Sequence, residues 1–269
     1  MSQFMQNLES PAFIRPAKFV RVLNGDIWQL GKHRLACGDA RDPAIVRKLL
    51  GDARPRLMAT DPPYGVGYEP EWRRKLKDSP TIVRATGKVL NDDRSDWREA
   101  WALFPGDIAY VWHAGLHASS VELSLAAAGF RVRSQIIWDK GRLIISRGHY
   151  HWRHEACWYA VRKLKTANWR GDRKQTTVWQ IPHRRSDTGH GTQKPIECMR
   201  RPILHHTLQG DAVYDPFLGS GTTIIAAEIT GRFCFGVELS PEYCGLTIAR
   251  WEQFTGRKAR LISRAAKAE

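Results

Sequence analysis

Short apolar runs alternate along the chain with longer segments in which apolar residues recur every three or four positions. The short runs have the length of buried strands, and the longer segments have the period of amphipathic helices. Predicted strands lie at residues 57–60, 107–112, 130–140, 212–217 and 232–239, and predicted helices at 43–50, 97–104, 116–129, 196–208, 222–231 and from 241 onward. This alternation predicts an α/β fold built on a mostly parallel, doubly wound sheet.

Capping residues set several of these boundaries. Gly51, Gly129 and Gly231 each follow a predicted helix, and glycine readily adopts the left-handed conformation that ends one. Ser240 followed by Pro241 is typical of a helix start, because the serine caps the first turn and proline fits its first position.

Three segments depart from the alternation. Asn24 and Gly25 tolerate positive φ and lie between apolar residues, so they predict a hairpin in residues 18–38. Residues 140–190 mix basic residues with Trp, Tyr and His, which predicts an insert within the domain. The basic tail at residues 257–269 is expected to be a solvated end.

The composition indicates one large domain with a polyanionic partner. The chain has 269 residues, 42% of them hydrophobic, which suits a single domain over residues 1–269. A formal charge of +15 and a pI near 9.9 favour nucleic acid as the partner. A membrane surface also attracts positive charge, but the sequence offers no run of roughly 20 apolar residues that would span one.

The expected compartment is the cytoplasm. The opening residues 1–13 are polar and acidic rather than basic and then apolar, so they do not resemble a signal peptide. The cysteines are odd in number and contain no CxxC pair, which predicts reduced, buried thiols that pack in the core. These cysteines are Cys37, Cys157, Cys198, Cys234 and Cys244.

A strand, a glycine turn and a helix coincide in VYDPFLGSGTTIIAAE, residues 213–228. Gly219 and Gly221 would let the backbone approach a ligand at a helix N-terminus, and Glu238 follows where it can accept ribose hydroxyls. These features predict a nucleoside cofactor, with a ligand-free tight turn as the alternative. A P-loop requires GK[ST], and the NAD fingerprint GxGxxG is incomplete here. FxGxG with a downstream acid instead resembles the S-adenosylmethionine (SAM) loop of methyltransferases.

The stretch LMATDPPYGVGY ends a predicted strand with Asp61, Pro62, Pro63 and Tyr64. The structural alternative is a proline-stiffened turn, but DPPY arises by chance in a chain of this size only on the order of once in a thousand. Together with the glycine loop, it resembles the motif of DNA amino-methyltransferases, and the resemblance covers nearly the whole chain. DPPY precedes FxGxG, with the recognition region between them, as in the circularly permuted β class of that family.

The chemistry explains the residue types in this motif. The exocyclic amine of a base is a poor nucleophile because its lone pair is delocalised into the ring. The Asp61 carboxylate and the Pro62 carbonyl can accept its two N–H bonds, and the prolines stiffen the turn. Tyr64 can stack on a base swung out of the duplex. Methyl transfer then needs no covalent enzyme intermediate, so positioning supplies much of the rate.

The resemblance implies a Rossmann-like SAM-dependent methyltransferase sheet and a set of cofactor-binding residues. Asp39 in LACGD would contact the cofactor adenine, and Glu238 would hold the ribose. Lys194 in GTQKP would lie near the cofactor carboxylate, although Gly191 replaces the proline of the family's HPTQKP segment. The residues implied around the methionine end of SAM are Asp215, Phe217, Gly219, Gly221, Thr222 and Thr223.

The target base follows from the first residue of the motif. Family members that begin with Asp mostly methylate adenine N6, whereas those that begin with Ser mostly methylate cytosine N4, so adenine is expected here and cytosine is the alternative. Methylation at cytosine C5 needs a cysteine nucleophile, usually after proline, and the chain contains no Pro-Cys pair.

The predicted insert supplies the expected contacts to double-stranded DNA, with a solvated basic face as the alternative. Trp169 and Trp179 would pack beneath these contacts or against bases. The predicted DNA-binding residues are Arg142, Arg147, Arg170, Arg173, Lys174, Arg184 and Arg185.

A metal site in the insert is a weaker hypothesis. His149, His151, His154 and Glu155 are possible metal ligands, but further Cys or Asp ligands are lacking, so we expect no metal.

Other substrates and partners stay open at this stage. RNA adenine and a protein glutamine amide are alternative methyl acceptors, and a DNA-binding protein that has lost catalysis is an alternative of another class. The resemblance leaves open a homodimer, and it also leaves open a separate restriction enzyme or none, as in an orphan methyltransferase.

Overall fold

The computed structural model describes residues 20–68, 90–144, 146, 148–182 and 193–264. The strands are β1 (Ile27–Leu30), β2 (His33–Cys37), β3 (Leu57–Thr60), β4 (Ile108–His113), β5 (Phe130–Asp139), β6 (His154–Arg162), β7 (Val178–Gln180), β8 (Ala212–Asp215), β9 (Phe233–Glu238) and β10 (Arg260–Ser263). The helices are α1 (Pro43–Leu50), α2 (Arg98–Ala102), α3 (Ala118–Ala127), α4 (Ile196–His206), α5 (Thr222–Thr230) and α6 (Pro241–Thr255), with a 3₁₀ turn at Gly115–His117.

The described strands form one mixed sheet in the order β10-β1-β2-β9-β8-β3-β4-β6-β5-β7. The pairings place β1 and β6 antiparallel to the other strands, so the sheet is mostly parallel. The predicted α/β class with a Rossmann-like sheet is confirmed. In such a sheet, ligands bind at the carboxyl ends of the parallel strands.

Helices cover both faces of the sheet because the side chains of a strand alternate between faces. In β3, Leu57 and Ala59 join the core cluster that includes Met199 of α4. Met58 points the other way, into the cluster that includes Trp101 of α2. A central strand buried on both faces is accordingly apolar throughout.

Capping behaves as the sequence predicts. Ser240 accepts a hydrogen bond from the Tyr243 N–H at the start of α6, and Pro241 occupies the first helical position. Gly51 and Gly231 follow α1 and α5 with positive φ. Because these residues satisfy helix-end groups locally, their boundaries were readable from the sequence.

The structure adds strand pairing that two sequence predictions on chain geometry lacked. The hairpin turn between β1 and β2 lies after Leu30, where Gly31 has φ 59°, whereas Asn24 and Gly25 form a turn that precedes β1. Part of the tail predicted to be solvated is the edge strand β10, which pairs with β1. Both cases depend on non-local strand pairing, which local turn signals do not reveal.

The segment predicted to be an insert, residues 140–190, contributes two strands to the sheet. Its strand β6 lies between β4 and β5 in the sheet, and its strand β7 extends the edge next to β5. Ala156, Cys157, Ala160 and Val161 are buried in β6. This pairwise burial on both faces is not the alternation by which a strand is recognised in a sequence. Residues 183–192 lie outside the described part of the chain.

None of the helices in the described ranges is both long enough and apolar enough to cross a bilayer.

Candidate active site

Acidic side chains converge on the carboxyl edge of the sheet. Asp61 follows β3, Asp215 ends β8 and Glu238 ends β9. Glu155 joins them from the start of β6, because that strand runs in the opposite direction. The motifs predicted from the sequence are therefore brought together by the topology at one edge.

The DPPY turn is held from outside by two contacts. The indole N–H of Trp97 donates to the Pro63 carbonyl at 3.0 Å. One oxygen of Asp92 accepts the Gly65 N–H at 2.8 Å, and the other accepts the Tyr68 N–H at 2.6 Å. Neither Trp97 nor Asp92 was identified from the sequence, because both are distant along the chain and carry no motif.

Asp61 lies within a compact set of charged and polar groups. Its Oδ1 accepts hydrogen bonds from the Tyr64 hydroxyl and from Lys194 Nζ, both at 2.7 Å. Lys194 Nζ also contacts Glu155 Oε2 at 2.7 Å, and Lys140 Nζ contacts Glu155 Oε1 at 2.6 Å. Two carboxylates and two ammonium groups thus offset one another beside the turn.

Burial and charge act in opposite directions on the pKa values of this set. Burial raises the pKa of Asp61, which Lys194 opposes. Burial alone would also raise the pKa of Glu155, but the two lysines outweigh it and hold that pKa below its usual range. Burial and the neighbouring carboxylates raise the pKa of Tyr64 well above its ordinary value. At neutral pH, Tyr64 is therefore a neutral hydrogen-bond donor.

The glycine loop supplies a backbone surface at the N-terminus of α5. Gly219 has φ 55°, and a Cβ built on it would meet no atom within 4 Å. Gly221 has φ 82°, and a Cβ there would lie 2.7 Å from Thr247 Cγ2. Gly219 therefore faces open space, as a ligand-facing position requires, whereas Gly221 is required by packing and backbone conformation.

A model of the family described as DNA methylase, which covers N6 and N4 methyltransferases, matches residues 56–249 of the chain. This range includes both the DPPY turn and the glycine loop. The chain belongs to this family of DNA methylases.

Individual relatives agree with that membership. The type II methyltransferase M2.MboI of Moraxella bovis is 28% identical over 231 residues, which cover 74% of this chain and 81% of the relative. Among solved structures, the M1.HpyAVI–SAM complex superposes with a TM-score of 0.60 at 24% identity, over 80% of this chain and 98% of that one. The PvuII DNA methyltransferase, named as cytosine-N4-specific, superposes with a TM-score of 0.61 at 16% identity, over 82% and 86%. These two superpositions show a shared fold.

The methylase is accordingly SAM-dependent, as the sequence predicted, and the edge of its sheet fits such a cofactor. Glu238 accepts the Gly219 and Ser240 N–H groups, each at 2.8 Å, and burial raises its pKa to about 7. Asp39 forms a bidentate pair with Arg41, which lowers the pKa of Asp39. Carboxylates at the ends of β2 and β9 flank the glycine loop, where hydroxyl and amine groups of a nucleoside can be recognised.

Four residues predicted to surround the methionine end have structural partners in the methylase. Asp215 accepts the Thr60 hydroxyl at 2.7 Å and the Thr223 hydroxyl at 2.6 Å, and burial raises its pKa to about 6. Thr222 accepts from Arg250 at 3.2 Å. Phe217 packs edge-on against Trp97 with ring centroids 4.8 Å apart. Asp215 therefore ties the end of β3 to the glycine loop, so the two motifs are mutually fixed.

Lys194 lies beside the DPPY turn. Its ammonium contacts Asp61, Glu155 and the Tyr64 hydroxyl. Its side chain is 5% exposed. The sequence predicted that Lys194 lies near the site. The pairing register of β5 and β6, which brings Glu155 and Lys140 to Lys194, could not be predicted from the sequence.

The predicted DNA-binding residues are divided between two edges of the sheet. Arg142 lies exposed at the carboxyl edge, in the loop that joins β5 to β6. Arg170 donates its N–H to the His205 carbonyl at the far end of α4, about 16 Å along a helix of 11 residues. Arg173 and Lys174 are exposed in the same loop as Arg170. Of the remaining predicted residues, Arg147, Arg184 and Arg185 lie outside the described residues.

Trp179 is buried and contacts Trp112, so it belongs to the core rather than to a base-contacting surface. Trp169 packs beside His205 with ring centroids 4.7 Å apart.

The surroundings of the histidines and cysteines in the methylase indicate structural roles. Within the described residues, no group of three or more His, Cys, Asp or Glu side chains is arranged to hold a metal ion. Glu155, one of the residues considered as a ligand, is paired with two lysines. All five cysteines are buried free thiols, as expected.

Proposed function

We propose that the chain methylates adenine N6 in double-stranded DNA and acts on a base rotated out of the duplex. The observation that carries this proposal is the place of Asp61, a carboxylate at the start of the DPPY turn and at the carboxyl edge of the sheet. A carboxylate at this position is typical of family members that modify adenine. Since its substrate is DNA, we place the enzyme in the cytoplasm.

Contacts around Asp61 support its role as the acceptor of an amine N–H. Oδ1 is occupied by Tyr64 and Lys194, and no residue within the described ranges donates to Oδ2. Oδ2 can therefore accept one amine hydrogen, while the Pro62 carbonyl accepts the other. These two bonds draw the nitrogen lone pair out of conjugation with the ring, which makes the nitrogen a better nucleophile.

Tyr64 supports the base in this proposal. Its hydroxyl is fixed by Asp61, so its ring has a defined orientation against which an extruded base can stack. Stacking on an aromatic ring is sequence-tolerant, because every base has a π-face. Tyr64 therefore positions the base, and Asp61 selects its amine.

The cofactor is proposed to lie along the glycine loop. Gly219 would face the methionine end, Glu238 the ribose hydroxyls and Asp39 the adenine amine. When bound, SAM supplies a methyl group on a sulfonium, whose C–S bond breaks with both electrons going to sulfur as nitrogen forms the new C–N bond. The methylated amine would then carry one surplus proton, which Asp61 would accept in this proposal.

Duplex DNA is proposed to contact the described part of the loop between β5 and β6, residues 141–144, 146 and 148–153. Lys140 and Glu155 lie at the two ends of this loop and form an ion pair with each other, so the loop adjoins the candidate active site. Tyr150 is 94% exposed and Trp152 is 44% exposed, next to exposed Arg142. Cationic and aromatic side chains of this kind bind phosphate and unstacked bases. Arg170 lies near the end of α4, away from the carboxyl edge, and is proposed to contact only distant phosphates.

The test of this function is Asp61→Ala. We expect this variant to lose methyl transfer from labelled SAM to duplex DNA while it keeps SAM affinity close to that of the wild type, measured by calorimetry. Loss of SAM binding would instead assign Asp61 to the cofactor site.

The wild-type enzyme, tested in parallel on RNA and on protein, separates the rival substrates. SAM binding without transfer to any acceptor would indicate a binding protein that has lost catalysis.

A further inference from the structure

The groups around Asp61 include two charged residues that the proposed chemistry does not use, Glu155 and Lys140. Building on the proposed function, we propose that Glu155 is a positioning residue for methyl transfer. Together with Lys140 it holds Lys194 and Tyr64 on Oδ1 of Asp61, which leaves Oδ2 directed to the target amine.

The hydrogen-bond arrangement supports this role. An ammonium group has three hydrogens, and Lys194 Nζ has three acceptors: Asp61 Oδ1 at 2.7 Å, Glu155 Oε2 at 2.7 Å and the Tyr64 hydroxyl at 2.8 Å. The Tyr64 hydroxyl lies 3.1 Å from Glu155 Oε2. Glu155 therefore contacts both groups that occupy Oδ1.

The sheet makes this arrangement rigid. Lys140 follows β5 and Glu155 lies in β6, and the two strands pair directly, with Asp139 opposite His154. Lys140 donates its N–H to the Arg153 carbonyl, and Arg153 forms a bidentate ion pair with Asp139. Glu155 is thus held by backbone pairing, which is a more exact support than a loop.

Burial makes the loss of any one charge in this arrangement costly. The side chains of Lys194 and Lys140 are 5% and 10% exposed. The Lys194 ammonium also lies 5.1 Å from the centroid of the Tyr64 ring and 5.6 Å from that of Trp112. A buried ammonium needs its counter-charges. Without Glu155, Lys194 would retain only Asp61 as a carboxylate partner among the described residues, and both would be free to reorient.

The charges predict opposite effects on Asp61 ionisation from two substitutions. The Glu155 charge raises the pKa of Asp61, and the Lys194 charge lowers it. Within the described ranges, the other titratable groups that face Asp61 are Tyr64 in its own turn, Cys157 on β6, Cys198 on α4 and Asp215 on β8. Burial raises the pKa of both thiols well above their ordinary value, so they stay neutral across the range in which Asp61 ionises.

The experiment compares Glu155→Gln with Glu197→Gln as a matched control. Glu197 lies in the first turn of α4 and pairs with Arg200 and Arg201, so its substitution removes the same charge without touching Asp61. We expect Glu155→Gln to lower kcat by about 10- to 100-fold, in the range of general acid–base and positioning effects, with SAM and DNA affinities unchanged. The acidic limb of its kcat–pH profile should move to lower pH, and that of Lys194→Gln should move to higher pH.

The control is expected to match the wild type in both readouts. A kcat for Glu155→Gln within twofold of the wild type, or an acidic limb that does not move, would overturn the positioning role.

A second measurement does not depend on methylation. Nitrogen-detected NMR of lysine side chains should show the Lys194 ammonium protected from exchange in the wild type and in Glu197→Gln, and exchanging rapidly in Glu155→Gln. Protection that survives in Glu155→Gln would contradict the inference even if the enzyme methylates DNA. Loss of protection in an enzyme that methylates another substrate would retain the inference and reject the proposed substrate.

Discussion

Gly221→Ala should destabilise the fold far more than Gly219→Ala, although the two glycines lie two residues apart in the same loop. At Gly221, with φ 82°, a left-handed conformation costs a non-glycine residue about 1–2 kcal/mol. Its Cβ would also lie 2.7 Å from Thr247 Cγ2, well inside the contact distance of two carbon atoms. Overpacking of that kind costs about 1–3 kcal/mol.

The net loss at Gly221 is smaller than this sum, because alanine restricts the unfolded chain and returns about 0.4–1 kcal/mol. We therefore expect Gly221→Ala to lose roughly 2–4 kcal/mol of unfolding free energy. Gly219→Ala meets only the conformational cost, since a Cβ there touches nothing within 4 Å. We expect it to lose about 1 kcal/mol or less.

The assay is urea denaturation of both variants, with SAM affinity measured by calorimetry on the folded proteins. Gly219→Ala should bind SAM at least tenfold more weakly, because its methyl group enters the open space assigned to the cofactor. Equal stability losses would refute the packing argument for Gly221. Unchanged SAM affinity in Gly219→Ala would refute the assignment of that space to the cofactor.

A double-mutant cycle sharpens the test of the contact. Thr247→Ala removes the atom that clashes most closely, although it also removes a hydrogen bond to the Gly219 carbonyl. Gly221→Ala should therefore lower the unfolding free energy less in the Thr247→Ala background than in the wild type. Strictly additive losses would show that Thr247 is not the obstacle.

Three further predictions concern the turn, the pH dependence and DNA binding. Asp92→Ala should lower kcat with little change in SAM affinity, because it removes the acceptor for the N–H groups of Gly65 and Tyr68. The control is Asp93→Ala at the exposed neighbouring residue, which should match the wild type in steady-state kinetics. Burial raises the pKa of Glu238 from 4.5 to about 7, so the folded state binds the proton more tightly than the unfolded state. The unfolding free energy of the ligand-free wild type, relative to Glu238→Gln, should therefore fall as pH rises from about 4.5 to about 7, and a constant difference in urea titrations would contradict this. Arg142→Ala should weaken duplex binding and lower its salt dependence. Arg170→Ala, near the end of α4, should have a smaller effect in fluorescence anisotropy, and equal losses would show that both residues contact the DNA.

Features that depend on local chemistry were predictable from the sequence. The apolar run of β3 places Asp61 at a strand end, and the glycines before α5 place the cofactor loop at a helix start. Ser240 marks the beginning of α6 through its own side chain. Each of these signals lies within a few residues of the structure that it specifies.

Features that depend on pairing between distant segments were not predictable. Glu155 and Lys140 meet because β5 and β6 pair in one register, and a shift of one residue would turn Glu155 to the other face. Asp92 and Trp97 support the DPPY turn through contacts that span about 30 residues of sequence, and neither carries a spacing rule.

The measurement that tests the central claim most directly is nucleoside mass spectrometry of unmethylated genomic DNA after incubation with the purified enzyme and SAM. Single-molecule sequencing of the same DNA locates the modified positions. The account predicts N6-methyladenine in a defined sequence context, absent when Asp61→Ala replaces the wild type. N4-methylcytosine in place of N6-methyladenine would contradict the assignment of the target base.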